Sequence, residues 1–284
     1  MFRFFPSSAA ALAALCCLHG AAAAPAASGA ALRADGTRFA LSTGDGKVQY
    51  SADLVGAILH LADGSAVRID AVEAVEDARH KTIWRHTLST QDADGQWVNF
   101  CTPHPDGSQV AMLVPGREMP DATLADDPDH FALTCSSGAQ GKCISFGYRP
   151  WERVVDGLDQ RAAYNACVHM VRADYGGEGR AYTENGKLID VFDDAGIQTP
   201  DMLPDQDFEA GWGPRGAVCV RHTRVARNVT LAQLAARYPA LRGQVGPHCT
   251  IEYARARGAL LFNRSDPRGA LPGASGAKPA VPAR

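Results

Sequence analysis

Cys167-Val168-His169-Met170-Val171-Arg172-Ala173-Asp174-Tyr175-Gly176-Gly177-Glu178-Gly179 carries an apolar helical pattern straight into a glycine-rich turn. From Leu158 to Ala173 the pattern advances by about 100° per residue, the period of an α-helix. Ala163, Tyr164, Ala166, Cys167, Val168, Met170, Val171 and Ala173 spread over an arc of about 220°. Arg161, Asn165, His169 and Arg172 share a narrow polar stripe. A surface helix shows a polar half, so this pattern predicts a helix buried on most sides. One residue further, Asp174 would enter the apolar arc, where a carboxylate needs a cation or several donors. Arg172 or the amides of Gly176, Gly177 and Gly179 are the candidates, and the glycines suit the positive φ of a helix stop. Two readings compete here. His169, Arg172 and Asp174 form a site, or Asp174 is a structural knot that sets how the helix ends; structural ion pairs occupy such spots too, and the knot is the favoured reading.

Further pieces of the chain carry a resemblance. They are Phe131-Ala-Leu-Thr-Cys135, Lys142-Cys143, Gly147-Tyr148-Arg149-Pro150-Trp151, Asn185-Gly186 leading into Ile189-Asp190-Val191, and Gly196-Ile197-Gln198. Phe208-Glu-Ala-Gly-Trp212, Ala217-Val-Cys219 and Leu260-Leu261-Phe262-Asn263 follow. With Ala173-Asp174-Tyr175 they resemble, in order from about Trp84 to Ser265, the ADYC domain, a bacterial domain named for Ala-Asp-Tyr-Cys. Gly176 stands where the namesake cysteine would be. The resemblance implies an address and a fold unit, and no reaction.

The chain of 284 residues is 46% hydrophobic and 21% charged, a globular composition. Its net charge of −3 offers no basic patch for a nucleic-acid partner. Residues 1–24 read as a secretory signal: Arg3 leads an apolar run from Ala9 to Leu18, and small residues from Ala21 to Ala24 offer cleavage sites. That run is too short to span a bilayer, and no later stretch is a transmembrane segment. Six cysteines remain, Cys101, Cys135, Cys143, Cys167, Cys219 and Cys249, an even number that suggests three disulfides in an exported chain. Fifteen pairings are open. Placement on the expected elements favours Cys143–Cys167 between two helices and Cys219–Cys249 between a hairpin and the segment after the last helix, leaving Cys101–Cys135 at two strand ends. Neither a metal nor another cofactor is expected, since no Cys-x-x-Cys occurs and Cys167-x-His169 is a poor ligand spacing on a helix.

Residues 25–36 read as an Ala-rich linker. From Thr37, short strands are expected at Arg38–Thr43, Lys47–Ser51, Val55–Leu61 and Ala66–Val72, separated by Gly44-Asp45-Gly46 and Asp63-Gly64. Strands over Lys81–Thr90, Gln96–Cys101, Gln109–Val114 and His130–Cys135 follow. Ala139–Gly147 suits a short helix. Asn185-Gly186 predicts a hairpin within Ala181–Phe192, and Gly213–Gly216 a second one between Phe208–Trp212 and Ala217–Thr223. Thr230 caps a helix from Leu231 to Tyr238, ended by Pro239, and within Asn228-Val229-Thr230 this cap is favoured over glycosylation. Residues 265–284, with four prolines and three glycines, cannot bury enough to order themselves.

These readings define an α+β fold with a strand-rich N-terminal half, short hairpins, two or three helices and disulfide staples. One domain is expected over residues 37–264. No Gly-x-Ser-x-Gly nucleophile turn or phosphate loop is present. The leading expectation is an exported, periplasmic or extracellular module that binds or scaffolds at the cell envelope. The competing expectation is a secreted hydrolase with His169 and Asp174 as an acid/base pair and Arg172 holding an anion. A hydrolase would place the three in an open cleft. A binding module would bury them and expose aromatic surface elsewhere, around Trp151 or Trp212.

Overall fold

The computed structural model describes residues 30–61, 64–104 and 106–268. The signal reading and nearly all of the tail reading fall outside these residues. Strand β1 (Ala31–Asp35) pairs with β2 (Arg38–Ser42), and β2 with β3 (Val48–Tyr50), to form a first antiparallel sheet. The stretch expected as a linker therefore contains a strand. Asp35-Gly36 turns β1 into β2, with Gly36 at φ 59°, a left-handed conformation suited to a tight hairpin.

The second sheet contains β4 (Ile58–His60), β5 (Ala66–Glu76), β6 (Thr82–Gln91), β7 (Trp97–Asn99) and β8 (Ala111–Pro115). A short ribbon of β9 (Arg117–Glu118) and β10 (Leu124–Ala125) precedes its last strand, β11 (Phe131–Cys135). Strand β8 is buried on both faces, and alternation divides it between two cores. Ala111 and Leu113 join Phe39, Ile69 and Leu88 in a core shared with the first sheet. Met112 and Val114 join the core that holds the central helix.

Helix α1 (Ala139–Ser145) and a ribbon of β12 (Val154–Val155) and β13 (Leu158–Asp159) lead into α2 (Gln160–Arg172). Asp159 caps α2 by accepting the Ala162 amide at 2.8 Å, so the helix starts after Leu158 rather than on it. The last sheet has the order β14 (Asp190–Asp193), β17 (Leu261–Ser265), β15 (Asp207–Gly213), β16 (Gly216–Val220). Between β16 and β17 lie α3 (Leu231–Arg237) and α4 (Ile251–Ala256). The apolar arc of α2 shares one core with Met112 and Val114 of the second sheet and with Ala210, Trp212 and Leu261 of the last, which is why so few of its faces are polar.

The fold is α+β, with four α-helices among the described residues rather than two or three. The extra helix is α4: Thr250, capping Tyr253 at 3.2 Å, starts it immediately after Cys249. It lies over β15 where Gly211 leaves room, since a Cβ there would sit 2.4 Å from Ala254 Cβ. Three disulfides join Cys101 to Cys135, Cys143 to Cys167 and Cys219 to Cys249, the pairs favoured by element placement. Thr230 caps α3 with the Gln233 amide at 3.3 Å, the reading favoured over glycosylation.

Candidate functional site

The end of α2 is built from backbone need. Its last carbonyls lack intrahelical partners and must find donors. Ala173, not a glycine, takes the left-handed position at φ 50° and ψ 38°. That conformation strains a residue with a Cβ. It is held by amides on both sides of the stop: Ala173 N donates to Met170 O at 3.0 Å and Asp174 N to His169 O at 2.8 Å. Asp174 then accepts the Gly179 amide at 2.7 Å and the Glu178 amide at 3.3 Å. His169 Nδ1 lies 3.0 Å from Asp174 Oδ2, so an Nδ1–H tautomer donates to the carboxylate. Both side chains have no solvent exposure.

Of the candidate partners for Asp174, the Gly179 amide serves and Arg172 does not pair with it. Its guanidinium donates to the Gly179 carbonyl, and its Nε is buried with no hydrogen-bond partner among the described residues. The amides that hold Asp174 come from Glu178 and Gly179 rather than from Gly176 and Gly177. The polar stripe of α2 is covered as well: Asn165 accepts the Leu124 amide at 3.0 Å and donates to the Leu124 carbonyl at 3.1 Å. The structure thus brings His169 and Asp174 together in the interior and leaves Arg172 at the edge of a cavity.

A second buried cluster completes the helix end, and it was not read from the sequence. Glu209 on β15 is fully buried and receives Arg224 Nε at 3.0 Å, Arg224 Nη2 at 3.0 Å, the Tyr175 hydroxyl at 3.0 Å and Asn263 Nδ2 at 2.8 Å. Burial opposes ionisation of Glu209. The Arg224 charge and its hydrogen bonds outweigh burial and hold the carboxyl below its ordinary value. Arg224 also donates to Met170 O at 2.8 Å and Val171 O at 3.0 Å, which places a cation on the last carbonyls of α2. Burial, and after it the Glu209 charge, push the Tyr175 hydroxyl well above its ordinary pKa. Trp212, expected as a candidate for an exposed aromatic surface, is fully buried, stacks on Tyr175 at 5.3 Å and donates to Asn263 Oδ1 at 2.8 Å. Trp151 is half-buried. The signal for Glu209 was a lone carboxylate within the apolar run Phe208–Trp212.

The open part of this region lies on the other side of Arg172. Two adjoining cavities, each of about 480 Å³, share Ser137, Gly138, Lys142, Asn185 and Gly186. Phe146, Val171 and Ile189 give the first an apolar lining, and Lys142 and Arg172 give it charge. The Asn185-Gly186 turn is present, but its flanks do not form the expected hairpin. Residues 181–183 and 187–189 carry no strand, and the Lys187 amide reaches the Glu184 carbonyl at 3.4 Å. Ala181 and Thr183 on one arm and Leu188 and Ile189 on the other border the cavity instead.

Acids close together in the sequence take different partners. Glu178 faces Arg237 while Asp174 turns inward. Asp194 meets Arg255, while Asp193 accepts the Tyr148 hydroxyl at 2.9 Å and the Ala195, Ile197 and Gln198 amides. A family profile, that of the ADYC domain, matches residues 51–226, more than half of the chain. The chain belongs to the ADYC domain family. The matched span starts and ends earlier than the Trp84–Ser265 resemblance, so Asn263 and Tyr238 lie beyond it. In this fold Ala173 stops the helix, Asp174 ties the turn and Tyr175 reaches Glu209. At the fourth position, the ring of Tyr238 occupies the space of a side chain: a Cβ on Gly176 would lie 2.1 Å from it. No curated protein and no solved structure matches the chain.

Proposed function

We propose that this protein is an exported, disulfide-bridged binding module, and that its ligand-binding face is the groove between α1 and the 181–189 segment. One observation carries the reading: His169 and Asp174 are wholly enclosed, while Lys142 and Arg172 border open space. Neither side chain has any solvent exposure, so a hydrolytic step at that pair has no route for substrate. Hydrogen bonds from two amides and an imidazole fit a helix stop better than a proton shuttle. Three disulfides suit an oxidising compartment, and no helix among the described residues is long and apolar enough to cross a membrane.

The test is to pan a random peptide display library on the purified protein and on Ala181→Trp, which places a large ring at the groove wall. The expected result is a set of clones retained by the parent and lost on the variant. Enrichment of the same clones on both proteins would remove the groove from consideration.

A further inference from the structure

We infer that the groove takes an extended peptide with acidic side chains, an inference that rests on the groove being the ligand-binding face. Two observations point to this occupant. The first is charge. Arg172, Lys142 and Arg224 line the cavity against one carboxylate, Glu184. Glu184 is already paired with Arg227, whose Nε donates to it at 2.9 Å. Arg224 is likewise engaged by Glu209. Among the described residues, Lys142 Nζ has no carboxylate or hydrogen-bond partner, and it stands on the wall common to both cavities. Arg172 adds a buried Nε with no partner. A chain of net charge −3 thus keeps uncompensated positive charge in one concave place.

The second observation is the backbone. The Asn185-Gly186 turn projects two arms that the chain could have zipped into a hairpin, yet no backbone hydrogen bond joins residues 181–183 to residues 188 and 189. Those arms flank the cavity. Tyr182 N already donates to Arg172 O, and the Tyr182 and Leu188 carbonyls accept from Asn228 and Gln206. An extended peptide can satisfy the remaining main-chain groups of the arms, in the manner of an added strand. Phe146, Val171 and Ile189 would take its alternate apolar side chains, and Lys142 and Arg172 its carboxylates. A compact phosphate would use the cations but neither the arms nor the apolar lining.

The probes are a fluorescein-labelled peptide of alternating Glu and Val and its counterpart of alternating Gln and Val, titrated into the full protein by anisotropy. The Glu peptide is expected to bind about tenfold or more tightly than the Gln peptide, as charge-assisted bonds exceed neutral ones. Lys142→Met is expected to erase most of that ratio while leaving the melting temperature within about a degree, because Lys142 has no partner to lose. Raising the salt should weaken the Glu peptide alone. Equal affinity for both peptides, or a ratio that survives Lys142→Met, overturns the acidic occupant. If peptides still depend on Ala181 in that case, the groove remains the binding face. If neither peptide binds and panning yields no clone sensitive to Ala181→Trp, the groove reading falls too.

Discussion

The two main cores bury polar groups of opposite kinds. Between the first and second sheets the buried group is neutral: His86 has no exposure, its Nε2 lies 2.7 Å from Ser51 Oγ and its Nδ1 3.4 Å from Ala111 O. Ser51 also accepts the Phe39 amide at 2.8 Å, so its hydroxyl is free to donate to Nε2 of a neutral ring. Around α2 the buried groups are ionic, with Glu209 on Arg224 and four donors on one carboxylate. The neutral pair fastens two sheets whose backbone needs are already met by strand pairing. The ionic cluster meets a need that no strand can meet, the open carbonyls of a helix end inside a core. The difference teaches that acid should attack the two cores in opposite ways, charging a neutral group in one and neutralising a charged group in the other.

Removing one ion should break the comparison most severely. Arg224→Met leaves Glu209 buried without its cation and the Val171 carbonyl without its donor, at a cost of about 3–5 kcal/mol. A thermal melt should fall by roughly 10 °C for a chain of this size. A melt equal to the parent's would show that the cluster does not hold the second core. Next in size is the Cys143–Cys167 bridge between α1 and α2, whose sequence separation is 24. Replacing both cysteines with Ala should cost about 3 kcal/mol by loop entropy, read as a shift of the denaturant midpoint.

Asp174→Ala should cost about 2–3 kcal/mol, since His169 Nδ1 and the Gly179 and Glu178 amides lose their acceptor. Asp174→Asn should cost less. Because Arg172 does not touch Asp174, Arg172→Ala should add to Asp174→Ala in a double-mutant cycle; strong coupling would mean that the two pair in solution. An Asp174→Ala melt within about a degree of the parent's would sink the structural role of Asp174 and reopen the hydrolytic one.

The smallest effect separates the cores by pH. Burial lowers the His86 pKa to about 4. Its folded value lies below the unfolded value of about 6.5, so its contribution is full above pH 6.5 and is lost as pH falls toward 4. The loss at pH 5 is roughly 2 kcal/mol, and His86→Gln should flatten the stability profile between pH 6.5 and 5. The Glu209 carboxyl is lowered too, but as an acid. Its contribution persists above its unfolded value of about 4.3 and is lost only below it. A His86→Gln variant that kept the full slope from pH 6.5 to 5 would show that the first core is not the acid-sensitive one.

Much of the fold was legible along the chain. The wide apolar arc of α2 foretold a helix packed on most sides, and Gly213–Gly216 marked the hairpin of β15 and β16. The Asp35-Gly36 turn carried the same signal, but the Ala-rich leader obscured β1. Asn185-Gly186 marked a turn correctly and misled about its arms, because turn residues set a reversal but not whether the flanks zip. Within the site, Asp174 was legible as a carboxylate in need of donors. Its partner His169 was placed in a polar stripe and named as a candidate catalytic group, and packing of the β9–β10 ribbon against α2 covers Asn165 of that stripe.

Periodicity, turn residues and cysteine number are local or countable, so the chain alone determines its elements, their hairpins and the presence of staples. Which polar groups meet in the interior is another matter. Glu209 and Arg224 sit on separate segments, Tyr175 on the turn after a helix and Asn263 on the last strand. No period links such positions. Their meeting follows from stacking the last sheet on the end of α2, where desolvated carbonyls and a buried carboxylate favour arrangements that give those groups donors.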